Sequence, residues 1–218
     1  MSSTKRGGER AASDFYRTPA WAVARLLERR ELFGFGGKST HWLEPSAGDG
    51  AIIRAASALR PEVRWTAVEL RPECLVDLRG AGVEDVRIGS VLDSAVFPRV
   101  PYHFDAAILN PPFSLALPIT KIALEVARNV AVLERLNWLE SAERHSFFRA
   151  QMPDVHVVGR IDFTGAGGDS IPYAWFVWGP PERRARMSGS ISLLDITPLE
   201  ERKRGLLLPQ GAPVELFR

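Results

Sequence analysis

The feature that most restricts the fold of this chain is a rhythm. From residue 41 to residue 150, short runs of β-branched, aromatic and aliphatic residues alternate with segments of helical periodicity. Strand signals fall at 41–44, 64–69, 85–88, 104–109, 130–135, 155–160 and 174–177. Helices are expected at about 52–59 (stopped by Pro61), 72–79 (stopped by Gly80 and Gly82), 117–128 and 141–150. A further helix is expected after Thr18-Pro19, with Thr18 as its cap and Trp21, Val23, Leu26 and Leu27 on its apolar face. Gly34, Gly36 and Gly37 are expected to end it. Strands and helices in this alternation build an α/β fold with a doubly wound, mostly parallel sheet. Only a Gly-rich stretch, 163–172, separates the last two strands, so they are expected to form an antiparallel hairpin at one edge.

Length and composition set the outer limits. The 218 residues suffice for one domain with a substantial core, and 45% hydrophobic with 25% charged residues is the balance of a soluble globular protein. No apolar run approaches the roughly 18 residues of a membrane span, and the start, MSSTKRGGER, has no apolar signal region. A single cysteine, Cys74, excludes an internal disulfide framework and a Cys-based zinc site, and reads as a structural thiol. A cytoplasmic protein without a metal, as monomer or homodimer, is expected. Residues 1–13 read as a disordered basic arm, 14–180 as one catalytic domain, and 181–218 as a tail or extension with no separate target-recognition domain. Net charge is only +2, yet basic residues cluster at Lys5, Arg6, Arg10 and Arg17, at Arg183, Arg184 and Arg186, and at Arg202, Lys203 and Arg204. Such clusters either meet phosphates or form solvated surface.

The first strand ends in Glu44-Pro45-Ser46-Ala47-Gly48-Asp49-Gly50 and enters a helix. Glycines at such a bend let backbone approach a ligand beyond the carboxyl ends of the strands. Glu69 closes the next strand, 19 residues after Gly50, where an acid can accept hydrogen bonds from ribose hydroxyls. The third glycine of a dinucleotide fingerprint is missing, because Ala51, Ile52 and Ile53 follow Gly50. Glu44 and Asp49 would repel a pyrophosphate but suit an ammonium and a sulfonium. S-adenosylmethionine carries both.

The fourth strand ends in Asn110-Pro111-Pro112-Phe113. Asn-Pro-Pro can simply break a strand and turn the chain. Its chemistry also fits a conjugated amine. Two prolines remove N–H donors and leave carbonyls to accept, Asn110 adds a side-chain acceptor, and Phe113 adds a flat face. An exocyclic adenine nitrogen is a poor nucleophile because its lone pair is delocalised. Acceptors at Asn110 and Pro111 can take its two N–H groups and aim the lone pair at an activated methyl. Catalysis then reduces to orientation and electrostatics.

On these residues the sequence resembles the DNA N6-adenine/N4-cytosine amino-methyltransferases, of the Rossmann-like class I methyltransferase fold. The resemblance spans about 14–179. Asn110 to Phe113 matches the family's (Asp/Asn/Ser)-Pro-Pro-aromatic catalytic motif, EPSAGDG its cofactor glycine motif, and Glu69 its ribose-binding acid. Phe15-Tyr16-Arg17-Thr18-Pro19 resembles the motif that wraps the methionine end of the cofactor, and its place before the glycine motif gives the order called gamma. Residues 133–140 and YAWFVW at 173–178 resemble small adenine methyltransferases of phages and mobile elements.

The resemblance implies S-adenosylmethionine as cofactor and S-adenosylhomocysteine as product. It implies contacts from Tyr16, Thr18, Pro19, Glu44, Pro45, Ala47, Gly48, Gly50, Glu69, Leu70 and Asn110. The chain departs from the pattern after the third strand, where Gly89-Ser90-Val91 stands in place of Gly-Asp-Phe. Ser90 or Asp93 is the expected substitute. DNA is the expected partner, ahead of RNA or protein, with relaxed or short-context specificity. Trp138, His145 and the basic arm are candidates for the DNA side, with Trp138 also readable as core. An RNA adenine methyltransferase, a protein-glutamine methyltransferase and a catalytically silent binding protein are the competing readings.

Overall fold

The computed structural model describes residues 16–29, 40–163, 170–184 and 189–194. Expectations for the arm at 1–13, for Gly34, Gly36 and Gly37, and for the charges at 202–204 lie outside those residues. The order is α1 (Ala20–Glu28), β1 (Thr40–Glu44), α2 (Ala51–Leu59), β2 (Val63–Glu69), α3 (Leu75–Gly80), β3 (Asp85–Ile88), β4 (Phe104–Leu109), α4 (Ala116–Val126), β5 (Ala127–Arg135), α5 (Ala142–Ala150), β6 (Asp154–Gly159), β7 (Tyr173–Trp178), α6 (Pro181–Arg184) and β8 (Ile191–Leu193). Three short 3-10 turns add to this at Pro72–Cys74, Phe113–Leu115 and Leu136–Glu140.

The described strands form one sheet in the order β3-β2-β1-β4-β5-β7-β6-β8. β1 to β5 are parallel neighbours. From β1 the chain winds outward through β2 to β3, then returns to β4 on the other side of β1. That reversal leaves a crevice at the carboxyl ends of β1 and β4, the usual ligand position in an open α/β sheet.

The expected antiparallel hairpin is present as β6 and β7, with β7 inserted between β5 and β6. Beyond it lies β8, parallel to β6. Neither β8 nor α6 is foreseen in the sequence, where this region reads as a tail or extension. Arg184 of α6 is buried, and its guanidinium donates to the carbonyls of Gly179, Leu124, Ala127 and Arg128. These include carbonyls that the end of α4 leaves without helical partners. Arg184 therefore fastens α6 to the sheet and is not available to a phosphate.

β7 shows how the sheet separates two cores. Tyr173, Trp175 and Val177 face the cluster built with α1 and α2, while Ala174, Phe176 and Trp178 face the cluster built with α4 and α5. This is the period-two alternation of a strand covered on both sides. Trp175 Nε1 donates to the Ala22 carbonyl at 2.9 Å and so ties α1 to the sheet beneath it. Trp138 belongs to the second core, in edge contact with Phe148 and Phe176 at 5.1 Å each. Core packing is thus its role, while His145 is exposed on α5 and Cys74 is buried.

Candidate functional site

A cleft of about 420 Å³ opens at the carboxyl ends of β1, β2 and β4. Among the residues singled out in the sequence, Tyr16, Thr18, Glu44, Pro45, Ala47, Gly48, Glu69, Leu70, Ser90, Asn110 and Pro112 line it. Pro19, Gly50, Asp93, Pro111 and Phe113 are not on its wall. Arg17, Asp49, Arg71, Leu92 and Leu115 line it as well. The sequence marks Asp49 as suited to a cation and carries Arg17 inside the motif at 15–19, but it marks none of Arg71, Leu92 and Leu115.

The bend after β1 owes its shape to two left-handed glycines, Gly48 (φ 55°) and Gly50 (φ 80°). A Cβ on Gly50 would lie 3.1 Å from Leu78 Cδ2, so Gly50 shapes the loop from behind. Three carboxylates gather here. Glu44 is 2% exposed, and its Oε2 has no hydrogen-bond partner among the described residues. Burial, then the neighbouring charges of Asp49 and Glu69, push its carboxyl well above the usual carboxylate range. Asp49 forms ion pairs with Arg17 and Arg54 and accepts from the Ala51 N–H at 3.1 Å. Glu69 accepts the Gly48 N–H on Oε2 at 2.7 Å. Its Oε1 accepts the Arg71 backbone N–H at 3.0 Å and Arg71 Nε at 2.8 Å. About four lone-pair sites exist on a carboxylate, so the open one on Glu69 is on Oε2. Such a cluster with an unpartnered buried oxygen favours a cationic ligand rich in hydroxyl and ammonium donors.

The opposite wall is organised by Asn110. Its Nδ2 donates to the Tyr16 carbonyl and to Thr18 Oγ1, both at 3.0 Å. A carbonyl can only accept, which fixes the amide orientation and turns Oδ1 away from the 16–18 segment. Thr18 is therefore not the cap of α1. Pro19 holds that position with φ −64° and ψ 137°, and the Thr18 hydroxyl serves Asn110 instead. The Pro112 carbonyl takes the Leu115 N–H at 2.8 Å, leaving the Pro111 carbonyl as the second loop acceptor. Phe113 sits just outside the cleft, 5.8 Å from the Tyr16 ring and 6.5 Å from the Tyr173 ring, with the Arg135 guanidinium over it at 4.5 Å. Of the two candidates after β3, Ser90 reaches the cleft. Asp93 is exposed and accepts the Ala95 N–H at 2.9 Å.

No protein-family model matches the chain. No curated protein matches it in sequence. Solved structures do match. A candidate RNA methyltransferase from Pyrococcus horikoshii superposes with a TM-score of 0.59 at 20% identity, over 77% of this chain and 87% of that one. A candidate class I S-adenosylmethionine-dependent methyltransferase from Listeria monocytogenes gives 0.58 at 10% identity, over 90% of this chain and 74% of that one. The 23S rRNA methyltransferase ErmE gives 0.54 at 15% identity, over 87% of this chain and 75% of that one. Together with the strand order, these likenesses identify the fold: it is the Rossmann-like fold of the class I methyltransferases.

Proposed function

We propose that this chain is an S-adenosylmethionine-dependent methyltransferase acting on the exocyclic N6 amine of adenine in DNA, with relaxed or short-context specificity. The observation that carries the reading is Asn110. Its amide is locked by two hydrogen bonds to the segment that borders the acidic cleft, so one side chain couples the two halves of a cofactor-and-amine site. The residues present fit the cofactor, since the unpartnered Glu44 Oε2 and the Asp49 carboxylate suit its cationic end. The open site on Glu69 suits a ribose hydroxyl, and Leu70, 66% exposed beside it, suits an adenine face. Held there by Glu44, Asp49 and Glu69, the cofactor would supply an activated methyl group to the amine nitrogen, the electron pair of its bond to sulfur remaining on sulfur. Asn110 Oδ1 and the Pro111 carbonyl accept the two amine hydrogens and orient the nitrogen lone pair. Phe113 stacks on the base. The proton released after transfer goes to water, so no strong base is needed. A base buried in a duplex must first leave the stack, or be presented in a single strand.

A second reading, the same transfer to an RNA base, is favoured by the likeness to the candidate RNA methyltransferase of Pyrococcus horikoshii and to the 23S rRNA methyltransferase ErmE. Incubation with labelled cofactor and, separately, DNA, RNA and a glutamine-bearing release-factor-like protein separates the readings. Label on DNA adenine is the expected result. Label confined to RNA would move the assignment to the second reading, and label confined to protein would sink both.

A further inference from the structure

Arg135 ends β5 beside the Asn110 loop, and its guanidinium carbon lies 4.5 Å from the Phe113 ring centroid, over the ring. That is the separation of a stacked planar group. Tyr16 and Tyr173 meet the same ring at tilts of 31° and 35° and at longer distances, so the flat group in closest face contact with Phe113 is the guanidinium. Tyr173 also steadies the arginine, accepting from its Nε at 3.2 Å through the phenol oxygen. The side chain is half-buried and reaches solvent.

We infer that Arg135 holds the stacking place of the planar amine in the free protein, and moves to the phosphate beside that amine when the amine enters. The inference rests on the proposed function and names the property of the substrate that this site reads. A guanidinium and a purine are both flat, delocalised groups, and both stack on an aromatic face. Only one can occupy this face of Phe113 at a time. Displacing the cation is unfavourable unless it finds new partners. A nucleotide brings them, because a phosphate accepts two parallel N–H bonds from a guanidinium. A glutamine side chain in a protein brings a planar amine and no anion. Arg135 thereby favours a nucleotide-borne amine over a protein amide, without reading base sequence.

The test uses the full chain with two single-stranded oligonucleotides. One has ordinary phosphodiesters around the target adenine, and the other has neutral methylphosphonates at those linkages. In the wild type the neutral linkages should raise KM about tenfold, the scale of one lost charge-assisted hydrogen bond, with kcat little changed. Arg135→Gln should show the raised KM with both substrates and no further penalty. Arg135→Lys, which keeps the charge without the plane, should keep most of the penalty. An equal phosphonate penalty in Arg135→Gln and the wild type overturns the inference. The Arg135 Nε–Hε resonance gives a readout independent of turnover. It should be shifted upfield by the Phe113 ring in the free protein, lose that shift in Phe113→Leu, and lose it when 2′-deoxyadenosine 5′-monophosphate is added. An unshifted resonance in the free wild type overturns the stack alone. A wild type that methylates neither oligonucleotide overturns the proposed function and the substrate half of this inference with it.

Discussion

Two polar regions lie on the same sheet, and they differ in one respect. Towards the amino ends of the strands, His41 Nε2 and Thr66 Oγ1 are 2.8 Å apart, and the Thr66 hydroxyl donates to Asp85 Oδ2 at 2.9 Å. Arg87 closes the chain on Asp85, and Asp105 accepts the His41 N–H at 2.9 Å. At the carboxyl ends, Glu44 Oε2 is buried without a partner among the described residues, and three carboxylates crowd one cleft. The first region is a satisfied network, which rigidifies a fold. The second is under-satisfied, and a buried acid in that condition calls for a ligand. Burial alone would raise the Asp85 carboxyl, but hydrogen bonds from Arg87 and Thr66 hold it below its usual value. Burial and its acidic neighbours drive Glu44 the other way.

The largest effect is expected at Asn110. Asn110→Ala should lower methyl transfer by about a hundred- to a thousandfold, the scale of losing one preorganised polar contact to a reacting group, while the thermal transition moves little. Turnover near wild type would remove Asn110 from the mechanism.

Next comes a pH effect on stability. Burial raises the Glu134 carboxyl from 4.5 to about 7, and its Oε1 has no hydrogen-bond partner among the described residues. The folded protein then keeps a proton that the unfolded chain releases above pH 4.5. Stability therefore falls as pH rises from 4.5 to about 7, by about 3 kcal/mol in total. Glu134→Gln should flatten that slope in denaturant titrations and gain on the wild type at pH 8. Parallel pH profiles would show that Glu134 is not the group responsible.

The smallest effect belongs to the satisfied region. Thr66→Val takes the hydroxyl from His41 Nε2 and leaves Asp85 to Arg87 alone, and should cost about 1–3 kcal/mol of stability, with cofactor affinity unchanged. Asp85 has the opposite sign to Glu134. Its lowered pKa contributes stability above the unfolded carboxylate value that is lost as pH falls, and Thr66→Val should shrink that acid-side loss.

The sequence was most legible where local chemistry and global fold agree. Alternating segments announce the parallel strands. The ligand end of the sheet is marked by Gly48 and Gly50, whose left-handed backbone few other residue types adopt, and by Glu69 at the end of the next strand. It was least legible where a residue's role depends on a distant partner. Thr18-Pro19 reads as a helix cap, but Asn110, 92 residues away, takes the hydroxyl. Arg184 in a run of charges reads as surface, but the carbonyls at the end of α4 draw it inside. The strand β8 is too short to carry its own periodicity and exists because β6 offers an open edge. The same limit applies to Arg135, whose meeting with Phe113 spans two strand ends.

The most direct test of the contrast is calorimetric titration of S-adenosylmethionine into the wild type, Glu44→Gln and Thr66→Val. The wild type should bind, Glu44→Gln should bind about ten- to a hundredfold more weakly, as expected for one hydrogen bond to a charged group, and Thr66→Val should match the wild type. No binding by the wild type, or equal affinity in all three, would contradict the account.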